Sequence, residues 1–125
     1  MKPLKPSFRA SFSFAIQGIV HALKKERNMK FHAAAAAAVF IAAALLNLEL
    51  VRWLFLLLAV TLVISAELMN TAVEAVVDLV SPEAHPLARI AKDTAAGAVL
   101  VCAVFAAVVG IIVFYGPLIS WIRSL

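Results

Sequence analysis

Charge is scarce in this chain. Of 125 residues, 14% are charged and 65% are hydrophobic, too little polar surface to coat a water-soluble globule of this size. Cysteine is nearly absent as well: Cys102 stands alone, with no partner for a disulfide and no second thiolate for a metal, and reads as a small buried apolar residue. The four glycines form no Gly-x-x-x-x-Gly-Lys-[Ser/Thr] stretch, which excludes a P-loop. The N-terminus lacks the pattern of a cleavable signal peptide, because the first apolar block begins only after residue 30 and no cleavage pattern follows it. What is left is a membrane protein.

Three apolar blocks run between flanking charges, over residues 31–48, 53–66 and 94–122. A helix needs about 20 residues to cross the hydrocarbon, so the first and third blocks are long enough. The second, at fourteen residues, reaches only about 21 Å. That span must therefore continue through Glu67 and end near Val80. The expected spans are 31–50, 52–80 and 94–122, in one membrane-embedded domain over residues 1–125.

Nine of the eleven Lys and Arg fall before the first span or in the second connection: Lys2, Lys5, Arg9, Lys24, Lys25, Arg27, Lys30, Arg89 and Lys92. Cytoplasmic loops carry the basic excess, so the N-terminus is expected in the cytoplasm and the C-terminus outside. Trp53, Tyr115 and Trp121 then fall at outer ends of spans, as an aromatic belt does. Ahead of the first span, "SFRASFSFAIQGIVHALKKER" places Phe8, Phe12, Ala15, Ile16, Ile19, Val20 and Leu23 at helical spacing. This predicts an amphipathic helix over about residues 7–28, lying in the cytoplasmic interface. The six alanines at 33–38 suit close helix packing. His32 and Glu49 border the first span and read as interfacial residues rather than ligands, with His32 close enough to the inner face to be held in reserve.

Within the second span, "AELMNTAVEAVVD" carries Glu67, Asn70, Glu74 and Asp78. Steps of three, four and four residues put them within an arc of about 80° on one helix face. A carboxylate near the middle of a spanning helix costs on the order of 3 kcal/mol, and its usual rationale is a functional site. Asn70 and Thr71 alone would serve an interhelical hydrogen-bonding patch; two glutamates and an aspartate are a costly way to build one. In the second connection, Pro82 and Pro86 break helix, and Glu83, His85, Lys92 and Asp93 add charge and an imidazole. Asp93 is placed to cap the third span, and Lys92 to snorkel to the interface. Carboxylates for a hard cation, a lysine for phosphate charge and a desolvated glutamate as base suit a magnesium-phosphate reaction.

These residues carry a family resemblance. "ELMNTAVEAVVD", "AHPLARIAKDTAAGAVLV" and "KKERNMKFH" together resemble the small prokaryotic diacylglycerol kinase and undecaprenol kinase family, from about Ser7 to the third span. The shared elements are Glu-x-x-Asn-[Ser/Thr]-x-x-Glu and Ala-Lys-Asp. The resemblance implies an all-α homotrimer of three-span subunits, each with a surface helix. Such an assembly transfers the γ-phosphoryl of MgATP to a lipid alcohol at the cytoplasmic face of a bacterial membrane, and no nucleic-acid partner is expected.

It also implies roles, residue by residue. Glu67 corresponds to the general base, Glu26 and Glu74 to the Mg2+ and ATP carboxylates, Lys92 and Asp93 to nucleotide contacts, and Glu83 and His85 to further nucleotide-loop positions. Asn70, Asn28, Lys30 and Ala96 fall, with Glu67, on the lipid-substrate side. Phe14 stands where the family has a tyrosine beside the nucleotide, so contact through a hydroxyl is lost there. "ERNMKFH" and "HPLARIAKD" resemble the Gram-positive, undecaprenol kinase-like branch; diacylglycerol remains the alternative substrate. Two readings from other classes stay open: a proton-coupled transporter relying on Glu67, and a purely structural oligomer.

Overall fold

The structure is a computed structural model that describes residues 4–125; residues 1–3, with Lys2 of the basic set, lie outside the described residues. Four helices follow one another: α1 over Phe8–Lys25, α2 over Arg27–Leu45, α3 over Leu50–Val80 and α4 over Pro86–Arg123. The last three are long and apolar enough to cross a membrane.

Each junction has a local cause. Ser7 caps α1, its Oγ accepting from the Ala10 N–H at 3.1 Å, which satisfies one of the free donors of the first turn. Glu26 separates α1 from α2 with an extended backbone (φ −97°, ψ 121°), while its N–H still donates to the Ala22 carbonyl at 2.9 Å. The chain bends at that residue and presents the Glu26 side chain at the elbow.

The end of α2 comes at Leu45, five residues short of the expected boundary at 50. Asn47 takes a left-handed conformation (φ 52°). The Asn47 N–H donates to the Ala44 carbonyl and the Leu48 N–H to the Ala43 carbonyl, both at 3.1 Å, which is the paired bonding of a Schellman cap. Leu48 and Ala43 are both buried in one cluster, the hydrophobic contact that accompanies this cap. Asparagine tolerates left-handed backbone where other non-glycine residues resist it, so it supplies the stop.

The start of α4 differs more. It begins at Pro86, eight residues before the expected 94, with His85 as N-cap and its Nδ1 accepting from the Leu87 N–H at 3.0 Å. Proline at the first helical position loses no intrahelical bond and has its φ preset. Asp93 therefore lies within the helix and does not cap it, which corrects that expectation. Hydropathy marks where lipid begins, and the helix begins earlier because its first two turns need no lipid.

α2 and α4 both run antiparallel to α3, and α4 packs along α3 more extensively than α2 does. An apolar cluster sits at the end opposite the polar stripe: Ala43 and Leu48 from the α2 end, Leu56 and Ala59 from α3, Val109 and Val113 from α4. Phe40 stacks on Trp53 there, rings 5.8 Å apart and nearly parallel. Arg52 closes this end. Its Nη1 donates to the Val113 carbonyl at 2.6 Å, and its Nε to Glu49 at 3.0 Å. In a regular helix that carbonyl would pair with the N–H four residues on, but residue 117 is proline and has none.

Candidate functional site

The stripe on α3 points inward where it is deepest. Glu67 is 2% exposed and Asn70 8%, so two polar side chains occupy positions that the pattern of an apolar helix reserves for core residues. Glu74 is half-buried and Asp78 exposed, which makes the stripe a gradient from interior to surface over about 16 Å of helix. Asn70 Nδ2 donates to Glu74 Oε1 at 3.1 Å, a one-turn clamp along the same face. Thr71 Oγ1 donates to the Glu67 backbone carbonyl at 3.0 Å, not to its carboxylate.

The Glu67 carboxylate meets α2 instead. His32 Nε2 lies 3.4 Å from Glu67 Oε1, with the imidazole itself mostly buried. This corrects the interfacial reading of His32: the side chain turns into the helix pair beside the deepest carboxylate. Spacing within one helix cannot say which residue of another faces it, so only the assembled fold shows the pair. Glu26 at the α1–α2 elbow and Glu74 one turn below Asn70 are the other carboxylates at this end. Glu26, Glu67 and Glu74 thus share one end of the helix bundle.

A second group forms nearer the surface. Lys92 Nζ donates to Asp78 Oδ1 at 2.6 Å, tying the start of α4 to the end of α3. Arg89 Nε reaches Asp93 Oδ2 at 3.4 Å, one turn along the exposed face of α4. The fold therefore presents Lys92 at the mouth of the carboxylate region rather than at a helix end facing lipid. Glu83 and His85 stand exposed in the α3–α4 connection, with His85 Nδ1 committed to its cap.

Phe14 on α1, Asn28 and Lys30 in the first turn of α2, and Ala96 on α4 are exposed. Among the described residues, none of these four shares a hydrogen bond or ion pair with the carboxylates. Asn70 Oδ1 is buried with no partner among the described residues, an acceptor left open beside a groove that Ser65, Ala66, Met69, Ala95 and Cys102 also line. Cys102 is half-buried there and makes no disulfide.

Among the described residues, no three His, Cys, Asp or Glu side chains converge as a metal cluster. Glu26 and Glu74 supply two carboxylates, hard oxygen donors of the kind magnesium takes, and magnesium usually keeps few protein ligands and fills its sphere with water and phosphate oxygen. Glu74 has one oxygen engaged by Asn70, which orients the other. The donor set fits a magnesium ion that arrives with a phosphate-bearing substrate.

Known proteins share this arrangement of sequence. The family described as prokaryotic diacylglycerol kinase matches residues 13–114, from within α1 to within α4. The undecaprenol kinase of Bacillus subtilis (strain 168) is 46% identical over 107 residues, covering 86% of this chain and 87% of that protein. The diacylglycerol kinase of Synechocystis sp. is 45% identical over 116 residues, covering 92% of this chain and 66% of that protein. The diacylglycerol kinase of Helicobacter pylori (strain J99) is 32% identical over 104 residues, 83% of this chain and 80% of that protein. A match that takes in α2, α3, the carboxylate stripe and the Lys92 mouth leaves one conclusion, that the chain belongs to the prokaryotic diacylglycerol kinase family.

Proposed function

We propose that this protein is an ATP-dependent lipid kinase that transfers the γ-phosphoryl group of ATP to the hydroxyl of undecaprenol at the cytoplasmic face of a bacterial membrane. The observation that carries the reading is Glu67, a carboxylate 2% exposed within an apolar helix, on the same face as a shallower Glu74. Glu67 lies about 10 Å deeper than Glu74 along α3. A lipid hydroxyl arrives through the bilayer and a nucleotide from the cytosol, so the two substrates meet along this stripe.

In the transfer, Glu67 takes the proton of the lipid hydroxyl. The oxygen bonds to the γ-phosphorus as the bond from that phosphorus to the β–γ bridging oxygen breaks, releasing ADP. Lys92 holds phosphate charge at the mouth, where it already pairs with Asp78. Glu26 and Glu74 would hold magnesium, which supplies charge neutralisation on the phosphate oxygens. Asn70 fixes Glu74 through Nδ2 and offers its open Oδ1 to the lipid side. Asp93, Glu83, His85 and Phe14 line the nucleotide side; Asn28, Lys30 and Ala96 line the lipid side. The subunits assemble as a homotrimer with α1 lying in the interface, the N-terminus in the cytoplasm and the C-terminus outside.

The choice of undecaprenol over diacylglycerol is supported by the relative named undecaprenol kinase, which matches this chain over most of both lengths. A polyprenol and a diacylglycerol each present one hydroxyl below a phosphate site, so the carboxylates alone do not separate them. Purified protein in vesicles, given γ-labelled ATP, magnesium and each lipid in parallel, tests both points. Label in the undecaprenol fraction exceeding that in the diacylglycerol fraction is expected. Preference for diacylglycerol would reassign the substrate, and no labelled lipid from folded protein would remove the kinase reading.

A further inference from the structure

The contact between α2 and the deepest carboxylate points to more than packing. We infer that His32 is a positioning residue for Glu67: an N–H on its Nε2 holds Oε1 of the carboxylate and turns Oε2 toward the lipid hydroxyl. This rests on the proposed reading of Glu67 as the proton acceptor.

Several observations converge on it. The two groups approach to 3.4 Å, and their side chains are 18% and 3% exposed. Screening by water is weak at such a site, and a polar contact there has more hold than on a surface. The polar neighbours of Glu67 on its own helix are otherwise engaged: the Asn70 amide donates to Glu74, and the Thr71 hydroxyl donates to a backbone carbonyl. His32 is, among the described residues, the side chain in ion-pair reach of this carboxylate.

The surroundings fix the imidazole too. Phe31 packs edge-on to it, ring centroids 5.6 Å apart. His32 also lines an apolar cleft between α2 and α3 with Ala35, Ala36, Val60 and Ile64. With no other side-chain donor on the carboxylate among the described residues, the imidazole decides which way it faces. A base with one oxygen held by a donor on a separate helix has a single lone-pair direction left for its substrate. Geometry of this kind matters to rate, since small misplacement of a reacting group costs about 100-fold.

The test uses the full chain in undecaprenol-containing vesicles with MgATP, comparing wild type, His32→Ala, His32→Gln, Glu67→Gln and the double variant His32→Ala with Glu67→Gln. His32→Ala should lower kcat by about 100-fold while leaving KM for ATP and for the lipid, and the oligomer, near wild type. His32→Gln, which keeps an N–H donor of similar reach, should recover part of the loss. In the Glu67→Gln background, removing His32 should change the residual rate by less than about twofold, as expected of residues acting as one unit. Unchanged kcat in His32→Ala, a full second loss in the double variant, or a rise in lipid KM alone would overturn the positioning role. Wild type that labels no lipid would sink the kinase reading itself, and His32 with it, whereas active wild type beside equally active His32→Ala removes the positioning role alone.

Discussion

Glu67 is a buried carboxylate in a helix that would insert more easily without it, and its neighbours define what its loss should do. Glutamine is nearly isosteric, so Glu67→Gln keeps the volume and the contact with His32 while removing the proton acceptor. Lipid phosphorylation should fall by about 10²–10⁴-fold with the oligomer intact on native gels. Lys92 differs in kind. It and Asp78 are 41% and 66% exposed, and a pair so accessible contributes less than about 1 kcal/mol to folding. Lys92→Ala should therefore raise KM for ATP without lowering the unfolding temperature; a large drop in Tm would make the residue structural. The stripe was legible because steps of three and four residues confine it to one face. His32 was not, because which residue of α2 faces Glu67 depends on how two helices pack.

At the scale of elements, the ends of the helices carry the lesson. α3 ends at Val80 as the sequence implies, since a fourteen-residue apolar block is too short to cross without its polar continuation. The end of α2 and the start of α4 moved inward and outward for local reasons, the left-handed Asn47 and the preset Pro86. Hydropathy does not register either. Nor does it register the clasp at the far end, where Arg52 donates at 2.6 Å to the carbonyl that Pro117 leaves without a helical partner. Arg52→Ala should destabilise the fold by about 1–3 kcal/mol, the cost of an unpaired buried acceptor. In a Pro117→Ala background the restored N–H takes over the Val113 carbonyl, and the same Arg52→Ala change should cost clearly less. Denaturant titration of the four proteins gives the coupling; equal costs in both backgrounds would mean that Arg52 acts through Glu49 alone.

The whole molecule leaves much of its apolar surface uncovered. Phe31, Ile41, Leu45, Leu100, Ile111 and Ile112 are each more than half exposed, and outside the apolar cluster only Ala22, Met29 and Val63 are buried apolar residues among the described residues. Lipid tails and neighbouring copies are the surroundings that suit such faces. The proposed homotrimer should appear as a three-subunit mass in native mass spectrometry from mild detergent, and a monomer that is fully active under the same conditions would contradict it.

As the proposed proton acceptor, Glu67 should be required for phosphoryl transfer from ATP to the lipid hydroxyl. The most direct test is the rate of label transfer from γ-labelled ATP to undecaprenol in vesicles, measured side by side for wild type and Glu67→Gln at matched oligomer content. Transfer by wild type and its near-complete loss in the variant is expected. Equal transfer by both proteins would contradict it.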